Sequence, residues 1–62
     1  MQRFKIKHEL GDGEAVKERP TEPWEVSVPE GGFRYHGTVW QAQREIERRC
    51  PACTGFGPTE KS

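Results

Sequence analysis

The sequence predicts an α+β domain in which a small two- or three-stranded antiparallel sheet is covered by one C-terminal amphipathic helix. Two observations predict this class. Two short stretches alternate strictly between apolar and polar residues, and a later stretch repeats its apolar residues at helical spacing. A chain of 62 residues forms one domain at most, with a marginal core that usually needs a disulfide, a metal or a partner.

The first strand is predicted over residues 4–8, where Phe4, Ile6 and His8 alternate with lysines. Successive side chains of a strand point to opposite faces of the sheet. These three side chains are therefore expected to face the core, and the basic residues between them to face solvent.

A hairpin is predicted to follow. Alternation over residues 24–28 places Trp24 and two valines inward, and the two glycines within residues 29–32 suit a turn. Residues 33–36 alternate again and are expected to return as the second strand of the hairpin.

Two segments have no clear period and are expected to be irregular. Residues 11–23 combine glycines, prolines and acidic residues, which predicts a long acidic loop. Residues 54–62 are small and rich in glycine and proline, which predicts a flexible tail. The folded domain is therefore expected over residues 1–53.

The helix is predicted from Thr38 to Cys50. Thr38 and Gln41 fit the capping-box pattern, in which each side chain bonds the backbone N–H of the other residue. Trp40 is expected at the edge of the face that packs on the sheet. The side chains expected on that face are Val39, Ala42, Ile46 and Cys50.

The most specific pattern in the chain is C-x-x-C-x-G-x-G, which spans residues 50–57. It resembles one zinc knuckle of the cysteine-rich domain of DnaJ-type chaperones, and similar knuckles in zinc ribbons. The resemblance implies that Cys50 and Cys53 are zinc ligands and that the glycines let backbone amides turn toward the sulfurs. That family pairs two knuckles into a four-cysteine site, whereas this chain has one knuckle and structural zinc takes four ligands.

Two routes would complete a structural zinc site. His8 lies on the strand face that the helix covers, and Cys50 lies on the helix face that covers it, so His8 is the candidate third ligand. His36 is the candidate fourth ligand of such a site, although its strand parity places it on the other face. Alternatively, two chains would each contribute Cys50 and Cys53 to a shared site, which makes a homodimer. Free thiols and a disulfide are the other states open to the two cysteines.

Catalysis is not expected from this sequence. A reactive C-x-x-C occupies a helix N-terminus, where the helix dipole stabilises the thiolate, whereas Cys50 follows a helix and meets its negative end. Neither His8 nor His36 has a nearby nucleophile or a residue to orient it. A chain this small also has little room for a ligand pocket of the usual size, roughly 300–1,000 Å³.

Contact with a partner is expected on the helix and on the hairpin. Trp40, Arg44 and Arg48 follow one another at steps of four residues, and Arg34 is expected on the outer face of the hairpin. Tryptophan and arginine are enriched at interface hot spots. These four residues are therefore the predicted partner-binding residues, and the expected partner is a protein with an acidic patch.

The favoured function is a non-catalytic protein-binding module that acts as a stoichiometric regulator or adaptor of a larger protein. Compact, charge-rich proteins of this size are frequent in phages and mobile elements, so such an origin is a further expectation. The alternative is a small nucleic-acid-binding domain that uses a basic face of the sheet and helix, with Lys5, Lys7, Arg34 and the helix arginines. The predicted element order also resembles the sheet-plus-helix module of phage-type integrases, which reads DNA with its sheet. Zero net charge weighs against this alternative, since phosphate neutralisation supplies most nucleic-acid affinity.

The sequence also predicts where the chain resides. Its apolar runs are far shorter than the ~18 residues that span a bilayer. Basic residues interrupt any signal-peptide core near the N-terminus. A cytoplasmic location without a membrane partner is the expectation.

Overall fold

The computed structural model describes residues 1–61, with the backbone alone for residue 61. Within these residues the chain forms six strands and one helix. They are β1 (Gln2–His8), β2 (Gly13–Lys17), β3 (Trp24–Val28), β4 (Gly31–Tyr35), α1 (Val39–Arg49), β5 (Cys53–Phe56) and β6 (Glu60–Lys61). The strands form a single antiparallel sheet in the order β4-β3-β2-β1-β5, and β6 pairs with the start of β1.

The predicted fold class is wrong: the protein is mostly sheet, with five strands side by side and a sixth short one rather than two or three. The helix is also not C-terminal, because β5 and β6 follow it. One additional strand, β2, lies inside the segment 11–23 that was expected to be a loop. The other two, β5 and β6, lie at the start and end of the segment from residue 53 onward. Residue 62, the last of the predicted tail, lies outside the described residues.

The three additional strands, β2, β5 and β6, lack the alternation of apolar and polar residues by which a strand is recognised in a sequence. Ala15 is the single fully buried side chain of β2, and it pairs with Phe4 on one side and with Val26 on the other. A small residue suits this position because the two neighbours fill the space. The backbone hydrogen bonds of β2 to both neighbouring strands therefore hold it in place, with little help from its own side chains.

The core lies between the helix and one face of the sheet. Alternation in β1 places Phe4, Ile6 and His8 on that face, as predicted, and all three are buried. The Phe4 ring packs against Trp24, with ring centroids 5.2 Å apart, and meets Phe56 edge-on. The buried apolar residues are Phe4, Ile6, Ala15, Trp24, Val26, Ala42, Ile46, Cys50 and Cys53.

The helix begins as predicted, with Thr38 as N-cap and a complete capping box. The Thr38 hydroxyl accepts from the Gln41 N–H at 3.2 Å, and the Gln41 side chain accepts from the Thr38 N–H at 3.0 Å. The turn before it is fixed to the sheet, because the Gly37 carbonyl accepts from the Trp24 indole N–H at 3.1 Å and from the Lys17 ammonium at 3.3 Å. In residues 1–61 no helix has the length and apolar character to cross a membrane.

Candidate functional site

Four side chains meet where the C-terminal end of α1 reaches the sheet, and we call them the cysteine cluster: His8, Glu30, Cys50 and Cys53. His8 is the last residue of β1, Glu30 lies in the turn between β3 and β4, and the two cysteines flank the turn that leaves the helix. The ligand atoms of His8, Cys50 and Cys53 all lie within 4.8 Å of one another, and all three residues are buried.

A β-bulge aims Cys53 at this cluster. Strand β5 pairs with β1 through Lys7 opposite Gly55, and regular pairing would then place Thr54 opposite His8. The register shifts by one residue at this point, so that Cys53 lies opposite His8 instead. The bulge therefore sends Cys53, rather than the threonine, to the covered face of the sheet.

The turn that carries Glu30 depends on a glycine. Gly31 adopts a φ of 140°, a backbone conformation that is readily available only to glycine. The chain can therefore reverse immediately after Glu30, which directs its carboxylate to the end of the helix. The Glu30 side chain is 48% exposed, whereas the His8 side chain that it contacts is 1% exposed.

The two cysteines pair as a disulfide, which is one of the states that the sequence leaves open. Glu30 Oε2 lies 3.7 Å from Cys50 Sγ. This contact is a hydrogen bond only when the sulfur carries a proton, so it suits the thiol form of the cysteine. Of the glycines of the knuckle pattern, Gly55 pairs with Lys7 in the sheet, and the Gly57 N–H donates to the Lys5 carbonyl.

Hydrogen bonds hold both ring nitrogens of His8. The Leu10 N–H donates to Nδ1 at 3.0 Å, and Nε2 lies 3.2 Å from Glu30 Oε2. Because Nδ1 accepts a hydrogen bond, the neutral ring carries its proton on Nε2, and Nε2 donates to the carboxylate. The buried imidazole is thus oriented by the backbone on one side and by Glu30 on the other.

A shallow depression of about 140 Å³ borders the cysteine cluster. Its floor includes Phe33, and the Arg49 guanidinium lies 4.4 Å from the centroid of that ring. The depression is smaller than the roughly 300–1,000 Å³ typical of small-molecule sites. It offers room for an ion or a single side chain rather than for a metabolite.

The second candidate surface is the row formed by Trp40, Arg44 and Arg48, which we call the helix stripe. Trp40 is 76% exposed, although it is one of only two tryptophans in the chain and the other, Trp24, is completely buried. Arg44 is exposed and makes no ion pair within residues 1–61. Arg48 lies 3.1 Å from Glu45 in an ion pair.

Glu45 is shared between two arginines. Its carboxylate bonds Arg49 and Arg48 through the same oxygen, and these hydrogen bonds, that of Arg49 first, hold the pKa of Glu45 below its ordinary value. Residues 44–49 carry three arginines against Glu45 and Glu47, so this part of the helix has a net charge of +1. Arg44, one turn closer to Trp40, contributes to it.

Arg34, the fourth predicted partner-binding residue, lies away from the helix stripe, on strand β4. It pairs with Glu25 of β3 across the open face of the sheet, at 3.3 Å. On the same face Arg3 pairs with Glu60 at 3.0 Å, and Lys5 lies opposite Glu14. Three basic residues of this face thus have an acidic neighbour, whereas Lys7 lies opposite Gly55.

The structure brings together the three residues predicted to bind metal, His8, Cys50 and Cys53, and adds Glu30, which the sequence analysis missed. Glu30 looks like any other turn residue in the sequence. The one signal for it was the Glu-Gly-Gly run, which marks a tight reversal but does not say where that reversal lies relative to the helix.

Comparison of the chain with protein-family models, with curated proteins and with solved structures finds no match.

Proposed function

We propose that this chain is a non-catalytic protein-binding module that regulates or adapts a larger protein by stoichiometric contact. The observation that carries the proposal is the exposure of Trp40, at 76%, on the first turn of a rigidly capped helix. A large apolar side chain on a rigid element binds a partner at low cost in conformational entropy, and tryptophan is enriched among hot-spot residues.

The charge beside Trp40 indicates what kind of partner fits. Arg44 lies one turn from Trp40 without an ion pair in the described chain, and Arg48 shares its carboxylate partner with Arg49. A partner surface with a carboxylate facing Arg44 would supply the charge that the chain itself lacks. We therefore propose an acidic patch on another protein, with an apolar recess for the Trp40 ring.

Nucleic-acid binding is the alternative, and the open face of the sheet would be its site. Ion pairs of Arg3 with Glu60 and of Arg34 with Glu25 reduce the positive charge of that face. Phosphate binding needs cations that are free to replace counterions. The pairing of these arginines favours the protein-binding proposal.

The proposal is tested by capturing partners on the immobilised chain, identifying a protein that is retained, and measuring its affinity after purification. Trp40→Ala and Arg44→Glu are each expected to weaken binding at least about tenfold, because one removes the anchor and the other reverses the charge that meets the acidic patch. Circular dichroism of both variants should match the original chain, since both side chains are exposed.

Arg19→Glu is the matched control, because Arg19 is also exposed but lies in the β2–β3 connection, far along the chain from the helix. It should bind as the original chain does. Equal affinity of Arg44→Glu and the original chain would refute the role of the helix stripe. Retention that vanishes after nuclease treatment, with a steep loss of binding as salt rises, would favour the nucleic-acid alternative.

A further inference from the structure

We propose that the dithiol form of this chain binds one Zn²⁺ ion in the cysteine cluster, with His8, Cys50, Cys53 and Glu30 as its four ligands. Two sulfurs, one imidazole and one carboxylate are all ligands that zinc accepts, and structural zinc sites hold four of them in a tetrahedron. The site is independent of the helix stripe, so its test does not depend on the proposed function.

The distances around Glu30 Oε2 resemble the edges of such a tetrahedron. With usual zinc–ligand bond lengths, a nitrogen and an oxygen ligand lie about 3.4 Å apart, and a sulfur and an oxygen ligand about 3.6 Å apart. In the structure Glu30 Oε2 lies 3.2 Å from His8 Nε2 and 3.7 Å from Cys50 Sγ. The carboxylate therefore already stands at ligand spacing from two of the other three groups.

The surroundings suit a structural ion. His8, Cys50 and Cys53 are buried, and their ligand atoms lie within 4.8 Å of one another. They come from β1, from the end of α1 and from the start of β5, so an ion held by all three joins the helix to two strands. A core this small gains most from such a link.

The binding step needs the two cysteines in the thiol form. A phosphine reductant opens the disulfide: each sulfur gains one electron and one proton, and the phosphine takes up the oxygen of a water molecule. Zn²⁺ then replaces the two thiol protons, which leave to solvent, because thiolate is the form that binds the metal.

Zinc must also replace the proton on His8 Nε2. The ring then carries its proton on Nδ1, where the Leu10 N–H donates at present. That hydrogen bond must break on metal binding, because Nδ1 and the Leu10 nitrogen would then both carry a hydrogen. Metal binding is thus expected to exchange the tautomer of His8, which an ion attached elsewhere on the surface would not do.

The test uses the full chain, reduced and freed of metal, and titrated with Zn²⁺. Native mass spectrometry should show one ion per single chain. Co²⁺ in place of Zn²⁺ should give thiolate-to-cobalt charge-transfer and d–d absorption typical of a tetrahedral site. Nitrogen-15 correlation spectra of His8 should change from the Nε2–H to the Nδ1–H tautomer. Absence of stoichiometric binding, or an unchanged tautomer, would overturn the proposal.

Glu30→Gln is the decisive variant, because its side chain is half exposed and its loss leaves the core intact. We expect its Zn²⁺ affinity to fall at least about tenfold, the lower end of the loss seen even for groups that only support a ligand. Glu47→Gln, an exposed helical control, should bind like the original chain. Unchanged affinity in Glu30→Gln would remove Glu30 from the site, and one ion per two chains would indicate a shared four-cysteine site instead.

Discussion

The two ends of the helix are fixed to the sheet by different chemistry. At the N-terminal end, the Gly37 carbonyl accepts from Trp24 and Lys17, and Thr38 and Gln41 cap the first turn. At the C-terminal end, Cys50 pairs with Cys53 beside His8 and Glu30.

The difference predicts which end responds to solution conditions. The contacts at the N-terminal end come from a tryptophan, an ammonium, a hydroxyl and backbone groups, which keep the same form across ordinary redox conditions and metal concentrations. The cysteine cluster contains a disulfide that reductants open to two thiols, and an imidazole that would exchange its proton for a metal in the proposed zinc site. One end of α1 therefore anchors the fold, and the other end is open to chemical change.

The largest expected effect comes from removing the anchor at the N-terminal end. Trp24→Ala should lower the free energy of unfolding by about 3–5 kcal/mol, the usual range for a fully buried aromatic side chain. A domain of this size has a total stability of about 3–5 kcal/mol, so the variant should be largely unfolded by circular dichroism at room temperature. Trp40→Ala, the matched control, should change the stability by less than about 0.5 kcal/mol. Equal effects of the two substitutions would contradict this account of the anchor.

Reduction of the disulfide should have a smaller effect, confined to the C-terminal end. Closing a loop as short as Cys50–Cys53 stabilises a chain by about 2 kcal/mol in the chain-entropy model, so reduction in the presence of a chelator should cost about that amount. Urea unfolding with and without reductant measures it. The double variant Cys50→Ser and Cys53→Ser should show no response to reductant. Faster hydrogen exchange at Thr38–Gln41 than at the cysteine cluster after reduction would contradict the proposed division between the two ends.

The smallest effect is expected from Thr38→Ala, which removes the N-cap hydroxyl and leaves Trp24 in place. The expected loss of stability is about 1 kcal/mol, as for other N-cap residues. Thermal unfolding followed by circular dichroism measures it, with Thr21→Ala, an exposed threonine outside the helix, as the control. A loss as large as that of Trp24→Ala would show that the capping box, and not the tryptophan, anchors this end.

The two ends of the helix also differ in how far the sequence predicts them. The capping box depends on residues three positions apart, and the alternation of β1 depends on neighbours, so both patterns are visible in the sequence and both are confirmed. The position of Glu30 depends on a hairpin twenty residues before Cys50, and the position of Cys53 depends on a bulge against β1. These relations exist only in the folded sheet.

Strand β2 was missed for a related reason. It has one buried side chain, Ala15, and its place between β1 and β3 is set by backbone pairing with both of them. The expected loop over residues 11–23 was inferred from its acids, glycines and prolines. Composition of this kind describes the side chains of a segment, whereas the backbone pairing that places β2 leaves no mark on it; four of the five residues of β2 are only partly buried.

The strands are synthesised in an order that leaves one side of β1 unpaired while the later strands are being made. A ribosome releases β1 before the other strands of this sheet, and β2, β3 and β4 follow as a chain of neighbours, each available to pair with the strand before it. The other side of β1 must wait for Cys53–Phe56, which follows β4 and the helix in the chain. Until then β1 presents an unpaired row of N–H and C=O groups, and such a row is a template for pairing with other chains. Lys5 and Lys7, which β1 carries on its outer face, are residues of the kind that discourage such pairing while the nascent chain is incomplete.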